Sequence, residues 1–329
     1  MDKSSSLSLN RRGFLGKAAI AGTTSAIAAT IAPPLAYADH HSKKTKPELP
    51  NFKYCLNTST IRGKKIPIAE EIGMIAKAGY DSIEPWINEL QRHKEQGGSL
   101  KDLGKKISDL GLTVESAIGF ANWISDDKST REKGLENAKR DMELLAAVGG
   151  KRIAAPPAGA SGGSSPKLNL DAAAERYSAL LDVGRESGVI PQLELWGFSK
   201  NISKLGELAY VAIESGHPDA CVLTDVYHIY KGGSDFEGLK MFSGQCLTVL
   251  HMNDYPADPP REKIGDGDRI FPGDGVAPIS KILRTMNSNG FSGVLSLELF
   301  NRSYWEQDTE FVLKTGVEKM KAEVKKAFA

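Results

Sequence analysis

Glu194, Asp225, His251 and Glu298 each close a short apolar run: PQLELW, CVLTDVYH, LTVLHMND and VLSLELF. A lone charged group in such surroundings is costly unless it has a partner. Four of them, at the same place in four successive units, point to one shared site. Two Glu, one Asp and one His make a hard, mostly oxygen donor set. It suits Mn²⁺, Mg²⁺ or Co²⁺ better than a structural zinc. The chemistry expected is that of a divalent ion acting on a small oxygenated substrate. Asp225 has a second role open to it, as a helix cap behind its strand.

For these residues to meet, the elements that carry them must converge. Eight β-like runs are read from residue 51 on: Lys53–Ser59, Ser82–Trp86, Thr113–Gly119, Arg152–Pro157, Pro191–Trp196, Cys221–Val226, Leu247–Asp254 and Val294–Phe300. Between them lie stretches with apolar residues three and four apart, such as IAEEIGMIAKAG, GLENAKRDMELLAAVG and AAAERYSALLDVGRESG, several ending in Gly. This alternation predicts an α/β fold, a (β/α)₈ TIM barrel over residues 51–329. A doubly wound open sheet is the alternative, but CLNTSTIRGKK after the first strand lacks the Gly-rich phosphate loop of that fold. In a barrel, Glu194, Asp225, His251 and Glu298 leave strands five to eight at one mouth. Sequence separations of 31, 26 and 47 residues then become a few ångströms.

Composition narrows the function. The chain has 329 residues, 25% charged and 40% hydrophobic, with a net charge of +1. Residues 1–38 hold Lys3, Arg11, Arg12 and Lys17 against Asp2, so the remainder is weakly acidic and a poor match for nucleic acid. Asn10-Arg11-Arg12-Gly13-Phe14-Leu15 resembles a twin-arginine export signal; a mild Ala/Gly/Thr stretch and Ala36-Tyr37-Ala38 follow it. The expectation is a signal peptide over 1–38, a polar linker over 39–50 and a periplasmic or otherwise exported protein without stable membrane anchoring. Cys55, Cys221 and Cys246 are too few and odd in number for a disulfide framework. They read as free thiols beside strands. Residues 312–329 read as a last amphipathic helix packed on the barrel.

LELWG, TDVYH, HMNDYPADPPREKIGDGDRIFPGDGVAP and LSLELFN resemble the sugar phosphate isomerase/epimerase group of the xylose isomerase-like TIM barrel superfamily, over roughly residues 52–325. The resemblance implies one divalent metal, Mn²⁺ first, held by Glu194, Asp225, His251 and Glu298, with Mg²⁺, Co²⁺ or Zn²⁺ as alternatives. It also implies that Glu194 and Glu298 act as acid and base. It gives substrate contacts to His228, three residues after Asp225, and to Arg269 in DRIFPGDG. The Pro-Gly-Asp-Gly turn at 272–275 resembles the inosose isomerase-like branch. Endonuclease IV shares the superfamily but uses three metals and further His ligands. Here the barrel has only His93, His217, His228 and His251. No Lys/Arg cluster marks a phosphate pocket. Ser161-Gly162-Gly163-Ser164-Ser165 reads as a loop over the mouth, with an anion cradle as the alternative.

The reaction expected is isomerisation or epimerisation of a keto sugar or cyclitol through an enediolate. One carboxylate removes a proton next to a carbonyl and a second returns it, with the metal stabilising the charge between. The same intermediate could expel a leaving group, which would make the protein a lyase or dehydratase on a 3-keto glycoside or inosose. A non-catalytic exported carbohydrate-binding barrel is the alternative outside enzymes. Trp86, Trp123 and Trp196 are expected as an apolar wall against a sugar face, and Glu84 as a hydroxyl contact. Asn253 and Asp254 are expected to orient His251 or the loop, and Phe300 and Asn301 to line the pocket. Partners beyond the small-molecule substrate reduce to a homo-oligomer.

Overall fold

The structure is a computed structural model and describes residues 49–329. The twin-arginine segment and most of the polar linker lie outside the described residues. Eight parallel strands follow in chain order: β1 Lys53–Asn57, β2 Ser82–Glu84, β3 Thr113–Val114, β4 Arg152–Ala155, β5 Ile190–Glu194, β6 Val222–Asp225, β7 Leu247–His251 and β8 Val294–Leu297. Their order is β3-β2-β1-β8-β7-β6-β5-β4. The ends of this ladder meet through Ile118, which bridges Trp86 on one side and Ala154 on the other. The Ala117 carbonyl accepts from the Ala154 N–H at 2.8 Å at the same seam. The result is the expected (β/α)₈ barrel.

The helices between strands are α1 Ile68–Ala78, α2 Ile87–Glu95, α3 Leu100–Asp109, α4 Lys128–Ala147, α5 Leu170–Ser187, α6 Leu205–Glu214, α7 Val226–Gly232, α8 Ile279–Ser288, α9 Arg302–Glu306 and α10 Thr309–Phe328. Side-chain caps fix where several begin. Asp127 accepts from the Thr130 N–H at the start of α4, and Asn169 from Asp171 and Ala172 at the start of α5. Gly79 and Gly188 end α1 and α5 in the left-handed conformation that a Cβ disfavours. Ile72, Ile75, Leu181, Leu208, Leu283 and Leu313 bury the inner helix faces against the strands, each contributing roughly 1.5–3 kcal/mol. The barrel interior is a smaller cluster of Cys55, Ile118, Ala154, Leu223, Val249 and Val294. No helix among the described residues is long and apolar enough to cross a membrane.

The strands are shorter than the sequence runs predict, each losing residues at its C-terminal end; β6 also begins one residue late, at Val222, and β5 one residue early, at Ile190. Thr58–Thr60 leave the β1 ladder as a 3-10 turn, and Trp86 stays joined to the sheet only through its bridge to Ile118. The third strand keeps only two paired residues, then rejoins the sheet at Ile118. All three cysteines are free, with Cys55 and Cys221 buried.

Candidate active site

Strand ends deliver the site. Asn57, Glu84, Glu194, Asp225 and His251 are the last residues of β1, β2, β5, β6 and β7, and Glu298 follows β8 directly. Parallel pairing in register sets Asn57 beside Glu84 and Asp225 beside His251. Six polar side chains therefore crowd one end of the barrel. All six are at most 4% exposed.

Asp225, His251 and Glu298 each offer a ligand atom within 4.8 Å of the others. Their common point is His251 Nδ1, 3.1 Å from Glu298 Oε2 and 3.5 Å from Asp225 Oδ2. Glu194 Oε1 stands 3.9 Å from the same nitrogen. Asp225, His251 and Glu298 thus form a compact set, and Glu194 stands at its edge. Neither ring nitrogen of His251 makes an aligned hydrogen bond, although both are buried. A buried nitrogen facing carboxylate oxygens with no satisfied bond is costly. A divalent cation in their midst relieves it, so the donor set fits such an ion.

The electrostatics agree. Burial opposes charge on His251, but Glu298, Glu84 and Asp225 more than offset it, holding the imidazole well above the usual histidine range. Burial raises the Glu194 carboxyl far above the usual carboxylate range; His251 opposes this, while Glu298, Asp225 and Glu84 add to it. Asp225 is buried too, yet Arg269, His228 and His251 hold it well below that range. Asp225, Glu298 and Glu84 face one guanidinium and one imidazole, and a divalent ion among them would favour the ionised form of Glu194 as well.

The family model for the xylose isomerase-like TIM barrel matches residues 72–323. The chain belongs to this family. It is 28% identical over 283 residues to an inosose isomerase of Bacillus velezensis, covering 84% of this chain and 99% of that protein. It is 20% identical over 244 residues to a 3-dehydroshikimate dehydratase of Pseudomonas putida, covering 72% of this chain and 36% of that longer protein. The crystal structure of the IolI protein with a zinc atom bound superimposes with a TM-score of 0.77 at 22% identity, covering 84% of this chain and all of that one.

In this xylose isomerase-like barrel, Arg269 is the counter-charge. It is 1% exposed and its Nη1 donates to Glu298 Oε2 at 2.7 Å and Asp225 Oδ2 at 2.9 Å. Its Nη2 donates to Asp266 Oδ1 at 2.5 Å and lies 3.1 Å from His228 Nε2. Burial, with the Arg269 charge beside it, pulls His228 down to about 4 against the opposing Asp225. A neutral His228 accepts on one nitrogen and can donate from the other.

Above the carboxylates lies a cavity of about 190 Å³. Glu194, Glu298, His228, Arg269, Trp86 and Trp196 all line it, as the sequence predicts. Phe300 does too. Asn301 instead ties the loop down, its Nδ2 donating to the Arg269 carbonyl at 3.1 Å. Further expectations are corrected. Trp123 is not at the mouth: its indole N–H donates to the Pro156 carbonyl at 2.8 Å and its ring packs on Tyr177 behind the strands. Glu84 does not reach a substrate hydroxyl either. It lies under the site, Oε2 3.0 Å from His251 Nε2, accepting from Ser296 Oγ and Asn57 Nδ2. It orients the histidine from behind. The Ser161–Ser165 stretch is a turn that lines none of the mouth cavity.

Three residues escape the sequence reading. Asn57 donates to Glu84 Oε2 at 2.9 Å and Glu298 Oε1 at 3.2 Å, and accepts from the Trp86 indole at 3.0 Å. It ends an apolar strand as Glu194 does, and that rule would have found it. Phe120 and Phe198, 44% and 48% exposed, complete an aromatic rim with Trp86 and Trp196. Exposed phenylalanines in loops carry no periodic signal. Asp254 orients the loop as expected, whereas Asn253 acts on Asp225 rather than on His251 or the loop. Asn253 donates to Asp225 Oδ2 at 3.2 Å, and Asp254 fastens the loop through four backbone N–H groups.

Proposed function

We propose that this chain is a divalent-metal-dependent enzyme that isomerises or epimerises a keto sugar or cyclitol by moving a proton next to its carbonyl. The observation that carries the reading is the buried Asp225–His251–Glu298 set, with Glu194 at its edge, opening into a cavity with an aromatic rim. The similarity to an inosose isomerase supports the substrate class. Mn²⁺ is the first choice of metal for an oxygen-rich donor set; the IolI structure holds a zinc atom.

Asp225, His251 and Glu298 would hold the ion, with Glu194 as a fourth donor. When bound, the metal would polarise the substrate carbonyl and neutralise the charge that develops on it. Glu194 has no hydrogen-bond partner among the described residues and lines the cavity, so its carboxyl is available to exchange a proton with substrate. Glu298, held by Arg269 and Asn57, also lines the cavity and would be the second proton-transfer group. Arg269 and His228 present nitrogens to substrate oxygens. Trp86, Trp196 and Phe300 exclude water and offer ring faces to the C–H side of a sugar. Cleavage of a twin-arginine signal over residues 1–38 would put this chemistry outside the cytoplasm.

A lyase outcome uses the same groups and is favoured by the 3-dehydroshikimate dehydratase similarity. Metal-loaded protein incubated with inososes and keto sugars in D₂O separates the outcomes. Deuterium at the carbon next to the carbonyl, without loss of water or aglycone, is the isomerase or epimerase result. Elimination products make it a lyase. No exchange with any keto sugar or cyclitol would remove the proposal.

A further inference from the structure

A second cavity of about 200 Å³ lies beside the first, and Trp86, Ile118 and Phe120 line both. It runs outward between α2 and α4, with Asn88, Gln91, Asn137, Arg140 and Asp141 on its walls. The partition between the two is well fixed. The Trp86 indole donates to Asn57, Arg62 stacks 3.9 Å over its ring, and Phe120 packs at 5.0 Å. A hexose occupies about six times the ~30 Å³ of a water molecule, so each cavity matches one ring.

We infer that the substrate has at least two sugar rings: the reacting keto ring over the carboxylates, and a second ring across the Trp86–Phe120 partition in the groove between α2 and α4. The inference rests on the sugar chemistry proposed above and narrows it. The outer groove is polar where the inner rim is aromatic, which suits a hydroxylated ring better than an aryl group. Asp141 is half-buried there with no hydrogen bond or ion pair among the described residues, and burial pushes its carboxyl up to about 6. The Asn88 side chain has no partner among the described residues either, whereas Arg140 donates to Asn137 Oδ1 at 2.6 Å and is positioned beside them. An amide, a carboxyl and a guanidinium around an aromatic edge are the groups that bind vicinal hydroxyls. A free cyclitol fills only the inner cavity and leaves these groups to water.

The test is calorimetric titration of metal-loaded protein with D-glucose and methyl β-D-glucoside against maltose, cellobiose, sucrose and 4-nitrophenyl β-D-glucoside, on wild type and Asn137→Trp. Asn137 is exposed on α4, so an indole there fills the groove without touching the core. At least one disaccharide should bind about tenfold tighter than the single rings, the worth of one or two hydrogen bonds and a ring face. Asn137→Trp should erase that gain and leave single-ring affinity unchanged. Disaccharides binding no tighter than single rings, or a variant that weakens both alike, would overturn the second subsite alone. A gain seen only with 4-nitrophenyl β-D-glucoside would overturn the sugar-ring assignment. Binding of no sugar at all would overturn the second subsite, while the proposed function stands or falls separately on the D₂O exchange.

Discussion

Replacing Asp254 with Ala should release the loop that carries Arg269. Asp254 Oδ1 accepts from the N–H groups of Tyr255 and Ala277 at 2.8 and 2.9 Å, and Oδ2 from Gly273 and Gly275 at 3.0 Å each. Its backbone pairs in both directions with Ile270, the neighbour of Arg269. A Cβ on Gly275 would lie 2.2 Å from the Tyr255 carbonyl, so the turn is pressed against this strand end and water has little room to replace the carboxylate. Hydrogen bonds to a charged group contribute about 1.5–3 kcal/mol each but are not additive when shared. A total loss of about 3 kcal/mol is expected once partial rehydration is allowed. Amide exchange at Gly273, Gly275 and Ala277 should then speed up about a hundredfold. Urea unfolding reads the global share of the loss. Catalytic efficiency should fall at least tenfold, because Arg269 reaches Glu298 and Asp225 only from an anchored loop. Asp254→Asn, which keeps the shape but loses the charge, should fall between. Unchanged amide exchange at those three positions would refute the loop-anchor argument.

Glu298→Gln, Asp225→Asn and His251→Ala should each weaken metal binding in equilibrium dialysis more than Glu194→Gln, since only the first three form the compact set. Glu194→Gln should instead remove about 10²–10⁴-fold of the proton-exchange rate while retaining the ion. Arg269→Leu should lower the stability of the metal-free protein by about 3–5 kcal/mol, because Asp225 and Glu298 lose their buried counter-charge. With the metal bound that loss should shrink, and melting curves with and without chelator compare the two. Glu71 is 2% exposed and burial pushes its carboxyl up to about 8. Its neutral form suits the fold, so the stability it contributes is present below about pH 4 and is lost as pH rises toward 8. Glu71→Gln should therefore stabilise the protein by about 2–4 kcal/mol at pH 8 and little at pH 4, read from urea midpoints at both.

The barrel was legible because its signals are local. Alternating apolar runs and Gly-ended helices such as α1 and α5 survive in any one-dimensional reading. So does the motif of a polar residue closing a strand, which located Glu194, Asp225, His251 and Glu298. Depth within the barrel was not legible. Glu84 ends its strand as Glu194 does, yet parallel register sets it below the mouth, against His251 and Ser296. Side-chain direction after a strand was hidden too. Trp196 and Trp123 look alike in sequence, but one lines the cavity and the other packs on Tyr177. Loop aromatics such as Phe120 and Phe198 acquire their role only when several loops come together.

The central claim is that the strand-end carboxylates and His251 form a divalent-metal site. Elemental analysis of the purified protein, wild type beside His251→Ala, tests it most directly. The expected result is about one divalent ion per chain in the wild type and far less in the variant, with both proteins folded. A wild type that takes up no divalent ion even after reconstitution, or a variant that keeps its full complement, would contradict the account.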